Sequence, residues 1–186
     1  MRRVHFLLLY MALALGANTA MAELAEVAEL RDGDMKKLTL HEEPKPVSDI
    51  AFTTPDGGSM TLADLQGGYV LLNFWATWCA PCREEMPTLA ALQNEFGGDG
   101  FQVVTLATGR NSPQGIQKFF SENNISNLPQ YRDEKQAVAR DMGILGLPIT
   151  VLIDPEGQEV ARLIGDADWH SDSARAIIGA LVSGGS

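Results

Sequence analysis

Cys79 and Cys82 are the only cysteines in the 186 residues, and only Ala80 and Pro81 stand between them. A pair this close can hold a metal, close a structural disulfide, or pass electrons by thiol–disulfide exchange. A zinc centre needs two further ligands, and the remaining donors, His41 and His170 among them, sit in polar segments without ligand-type spacing. A structural disulfide gains little here, because so short a loop removes little entropy from the unfolded chain. Exchange chemistry asks only that one sulfur be a reachable anion and the other lie within reach of it.

The elements that must position the pair are legible on either side. "YVLLNFWA" before it is a continuous apolar run and predicts a buried strand. After it, a helix is expected from about Ala80 to Phe96, ended by Gly97-Gly98 and kinked at Pro87. Cys79 then stands at a helix N-terminus, where unpaired backbone N–H groups and the helix dipole favour thiolate over thiol. Cys82 lies three positions on, along the same helical face but deeper. This predicts that Cys79 attacks a partner's disulfide and that Cys82 resolves the mixed disulfide.

Further along, "FQVVTLAT" predicts a second buried strand, Ser112-Pro113 a cap and first turn for the next helix, and "EKQAVARDMG" another helix. "LPITVLIDPEGQEVARLIG" reads as two strands joined at Pro-Glu-Gly, and "DSARAIIGALVS" as a closing amphipathic helix. Ahead of the site, "IAFTT" and "SMTL" flank an Asp-Gly turn and predict a hairpin. The whole predicts one α/β domain from about residue 50 to 186, a mixed sheet covered on both faces.

The N-terminus has the organisation of an export signal: Arg2-Arg3, an apolar run of about a dozen residues, then Ala20-Met21-Ala22. Residues 1–22 are expected to be cleaved, with a retained membrane anchor the weaker alternative because the run is short for a span. Residues 23–49 read as a charged linker, with a short helix near their start. Cleavage leaves 12 of the 14 basic residues against all 24 acidic ones, which argues against nucleic acid or an anionic lipid surface as partner. The compartment expected is a bacterial periplasm or its equivalent, where thiols tend to be oxidised and a reduced pair needs an electron donor.

"NFWATWCAPCREEMP" together with "GLPITVLIDPEG" resembles the thioredoxin-like TlpA/ResA/CcmG group of exported thiol–disulfide oxidoreductases, most closely its TlpA branch. The resemblance implies a thioredoxin fold with an N-terminal β-hairpin and a central strand-helix insertion, for which residues 111–142 give room. It implies that Pro148 is a cis-proline beside the sulfurs, leaving the backbone of Leu147 free to pair with an extended client segment. Trp78, Ala80 and Pro81 would line the client-binding surface, and Trp75 would pack inside.

The buried aspartate of cytosolic thioredoxins aligns with Asn73, which cannot accept the proton of Cys82. Glu85 is the substitute, three positions after Cys82, and if buried its raised pKa would suit proton transfer. The competing reading makes it a solvated carboxylate like Glu84. Arg83 reads as surface charge, and Trp169 has no assignment.

Ala80-Pro81 supplies no donor that would strongly favour the thiolate, so the expected direction is reduction of client disulfides. By the resemblance, the clients are copper-delivery proteins, the copper site of cytochrome oxidase, or the haem-attachment cysteines of apocytochrome c, with electrons relayed by a membrane thiol protein. A monomer without a cofactor is expected. The alternative is a copper-handling module that uses the reduced thiols as ligands.

Overall fold

The computed structural model describes residues 24–184; the export-signal expectation for residues 1–22 lies outside them. Within that range eight strands form one mixed sheet. They are β1 (Leu38–Pro46), β2 (Phe52–Thr53), β3 (Ser59–Met60), β4 (Tyr69–Trp75), β5 (Phe101–Thr108), β6 (Tyr131–Asp133), β7 (Ile149–Ile153) and β8 (Gln158–Ile164). Their order across the sheet is β1-β8-β7-β4-β5-β6-β2-β3. β4 runs parallel to β5 and antiparallel to β7, so it is central, and all seven of its residues are buried.

Because side chains alternate along a strand, β4 feeds two cores at once. Leu71 and Trp75 face one side with Phe101 and Val103, while Val70, Leu72 and Phe74 face the other with Val104 and Leu106. The first face is covered by α1 (residues 24–30), α2 (Ala80–Phe96), α3 (Pro113–Glu122) and α5 (Asp172–Gly184). The second is covered by α4 (Ala137–Asp141) and the 3-10 turn Leu62–Leu65. Each large apolar side chain so buried contributes about 1.5–3 kcal/mol. Position 73 shares its face with 71 and 75, so the one polar residue of β4 points toward α2.

The local signals act as expected. Ser112 caps α3 by accepting from Gly115 N–H at 3.0 Å. The Pro-Glu-Gly turn closes the β7–β8 hairpin, with Gly157 at φ +83 where a side chain would be strained. Residues 111–142 carry α3, β6 and α4, and β6 joins the β2–β3 hairpin to the sheet through Thr53 and Arg132. α2 runs through Pro87 without interruption and stops at Gly97.

Residues 23–49, read from the sequence as a charged linker, are instead built into the domain across 24–46. α1 packs Val27 into the core, a 3-10 turn follows at Gly33–Lys37, and β1 pairs antiparallel with β8. The reason lies in edge geometry: most of the β1 side chains remain exposed, so its sequence keeps the charge and prolines of a loop while its backbone joins the sheet. Inside that pairing, His41 Nε2 donates to Glu159 Oε1 at 2.7 Å, and Arg162 clasps both Glu159 oxygens at 2.8 and 2.7 Å. Burial pushes the Glu159 carboxyl up, but its bonds to Arg162 and His41 outweigh that and hold it below the usual range.

Candidate active site

β4 ends at Trp75 and α2 begins at Ala80, so the intervening turn presents Cys79 as the N-cap of α2. Cys79 and Cys82 are joined as a disulfide with Cα atoms 5.3 Å apart. The Cys82 N–H donates to Cys79 Sγ at 3.3 Å, so an unpaired N–H of the helix's first turn is aimed at that sulfur. Cys79 keeps 6% of its surface exposed and Cys82 none, so of the two residues only the first meets solvent. Trp78 beside it is 65% exposed. Ala80 is exposed and Pro81 half-buried at the helix start.

The turn is held from β5. Asn111 Oδ1 accepts from both the N–H and the hydroxyl of Thr77, at 2.8 and 2.9 Å, while its amide donates to Thr108 O at 2.9 Å. Sequence reading missed Asn111, since a loop asparagine after a strand carries no distinguishing mark. On the far side of β4, the register sets Phe74 opposite Ile149. This brings the Leu147-Pro148 bond, which is cis, level with the end of β4 from which the cysteine turn departs. Pro148 is buried, and its carbonyl accepts from Gly165 N–H at 3.0 Å. Leu147 is half-buried, and no hydrogen bond engages its backbone among the described residues.

Three positions after Cys82 on α2 lies Glu85, only 3% exposed. Its Oε1 accepts from Asn73 Nδ2 at 2.7 Å, and the same amide donates to Thr150 Oγ1 at 2.9 Å, directly across the β4–β7 register. Oε2 accepts from Ala167 N–H and from Trp169 Nε1, each at 3.1 Å. Burial is the largest influence and raises the carboxyl to about 7; the bonds from Asn73, Trp169 and Ala167 pull the other way, and Asp166 adds to the rise. The solvated-carboxylate alternative is therefore set aside.

The structure brings Trp78, Cys79, Ala80, Pro81, Cys82 and Glu85 to one strand–helix junction, with Leu147 and Pro148 entering from β7. It adds Trp169, which lies 84 positions from Glu85 and has no motif around it. Trp75 is fully buried, against Phe119 and Phe120. Arg83 is exposed, its guanidinium 5.5 Å from the Phe119 ring centroid. His41 is engaged with Glu159 and His170 with Glu95. Among the described residues no cluster of three or more His, Cys, Asp or Glu is placed to hold a metal.

A helix N-cap cysteine bonded to a buried partner three residues on, under a cis-proline in a mixed sheet, defines the thioredoxin class of thiol–disulfide oxidoreductases. The comparisons agree, and the chain belongs to the AhpC/TSA family, whose model matches residues 44–161. It is 32% identical over 116 residues to the thioredoxin-like protein YneN of Bacillus subtilis, covering 62% of this chain and 68% of that protein. It is 31% identical over 141 residues to the thiol-disulfide oxidoreductase ResA of Bacillus cereus, covering 72% and 74%. Among solved structures, it superimposes on the exposed lipoprotein thioredoxin Etrx1 of Streptococcus pneumoniae with a TM-score of 0.59 at 26% identity, covering 73% of this chain and 99% of that one. The chain is a thiol–disulfide oxidoreductase of the ResA type that acts on disulfide-containing substrates.

Proposed function

We propose that the protein acts outside the cytosol as a dithiol reductant of client-protein disulfides. In the reduced enzyme, Cys79 thiolate attacks one sulfur of the client disulfide, an S–S bond forms to Cys79, and the client's other sulfur departs as thiolate. Glu85 takes the proton of Cys82. The Cys82 thiolate then attacks Cys79 Sγ, releasing the client's second sulfur and leaving the Cys79–Cys82 disulfide. A membrane thiol relay returns two electrons to that disulfide. The client backbone pairs with Leu147 beside Pro148, while Trp78, Ala80 and Pro81 give it an apolar contact surface. A groove of about 270 Å³ beside Trp78, lined also by Gly109, Arg110, Glu134 and Gln136, gives that surface a polar margin.

The observation that carries this reading is the pairing of an N-cap cysteine that keeps a small exposed area with a fully buried one, on a helix whose next turn holds a buried carboxyl. The export-type leader supports the location, as does the exposed placement named for the pneumococcal relative. No helix among the described residues is long and apolar enough to cross a membrane. By resemblance, the clients are copper-delivery proteins, the copper site of cytochrome oxidase, or apocytochrome c. Cys82→Ser, expressed in the native compartment, tests the scheme: it is expected to accumulate clients on Cys79 through bonds that dithiothreitol releases. A variant that captures none, alongside a wild type that retains copper but does not reduce insulin, contradicts it in favour of a copper-handling module.

A further inference from the structure

Glu85 is gripped from a segment that the cysteine motif does not contain. The indole N–H of Trp169 and the backbone N–H of Ala167 both donate to Oε2. One turn along α2, Thr88 Oγ1 accepts from the backbone N–H of Trp169 at 3.0 Å while donating to Glu85 O at 2.8 Å. Trp169 is thus held at its backbone and at its ring by a single turn of the catalytic helix, and it is 2% exposed.

The other side of the same segment is tied to the N-terminal extension. Lys37 Nζ donates to Asp166 O at 2.6 Å, and Asp168 N–H donates to Asp34 Oδ2 at 3.1 Å. Both the 166–169 segment and Asp34–Lys37 lie outside residues 44–161, the span the family model matches.

We propose that Trp169 is the positioning residue of the proton-transfer step, its indole N–H fixing the Glu85 carboxyl and favouring its charged form. The proposal rests on the reading of Glu85 as acceptor of the Cys82 proton. A hydrogen bond to a charged group is stronger than one to its neutral form, so the indole lowers the proton affinity that burial raises. The groups facing Glu85 are the Asn73 amide from the sheet, the Ala167 N–H and the Trp169 indole from the loop, Asp166 beside them, whose charge pushes the carboxyl up, and Cys82 one turn earlier when reduced. Of these, Trp169 is a donor that can be removed with most of its packing kept.

The test is the pH profile of insulin reduction for wild type, Trp169→Phe and Glu85→Gln. Phenylalanine keeps a ring in the core and removes the N–H. The profile midpoint assigned to Glu85 is expected to move up by about one pH unit in W169F, the size of one lost charge-assisted hydrogen bond, and to vanish in E85Q. A W169F profile that overlays wild type, with the step still absent in E85Q, overturns the role of Trp169 and leaves that of Glu85. A step that persists in E85Q overturns both. Should W169F fail to fold, the wild-type protein answers the same question. Its Trp169 indole N–H resonance is expected to titrate with the midpoint of the Glu85 carboxyl carbon, and a resonance flat across that midpoint overturns the proposal.

Discussion

At the scale of single residues, Glu85 is our proposed proton acceptor for Cys82, a carboxyl buried on the helix side of the α2–β4 interface. Asn73 gives it a donor in place of a second acid. Replacing Glu85 by Gln removes the acceptor and is expected to slow resolution of the mixed disulfide roughly 100-fold at neutral pH, read by rapid-quench kinetics; an unchanged rate contradicts the assignment. The same substitution has a stability signature whose sign follows from linkage. The folded carboxyl titrates near 7 and the unfolded one near 4.5, so the native state binds the extra proton between them. Stability of the wild type therefore falls as pH rises through that window, by up to roughly 3 kcal/mol. Urea denaturation of the oxidised proteins at pH 5 and pH 8 is expected to show that loss in wild type and its absence in E85Q.

Elements supply what single residues cannot. The N-terminus of α2 directs an N–H at Cys79, β7 brings the Leu147-Pro148 bond alongside, and Asn111 ties the turn to β5. β1 has a different task, closing the far edge of the sheet through the His41–Glu159–Arg162 cluster. Removing the shared carboxylate leaves a half-buried guanidinium without its counter-charge. Glu159→Ala is accordingly expected to cost roughly 3 kcal/mol by urea denaturation, while the refolded fraction keeps its redox activity; a loss near zero contradicts a stabilising role for the cluster.

For the molecule as a whole, much of this arrangement was legible in the chain. The buried strand, the cysteine helix and the terminal hairpin–helix unit each carry a local signal: an apolar run, a cap, or a Pro-Glu-Gly turn. Asn73 was singled out by its alignment with the thioredoxin aspartate, and Glu85 by its helical offset to Cys82 together with the family resemblance; its burial was open until the fold was known. β1 was not, since an edge strand with outward charges has the composition of a linker until its partner is known. Trp169 was not, because its partner lies 84 positions away and only packing brings them together. Long-range donors to a buried acid leave no spacing to read.

Everything proposed for this site requires that, once reduced, the sulfur at the start of α2 be an anion at neutral pH while its buried partner is not. The most direct measurement is the pH dependence of iodoacetamide alkylation of the fully reduced protein, with the modified residue located by mass spectrometry. Single modification at Cys79 is expected, with a midpoint well below the ~8.5 of a free cysteine. A midpoint at or above that value, or first modification at Cys82, would contradict it.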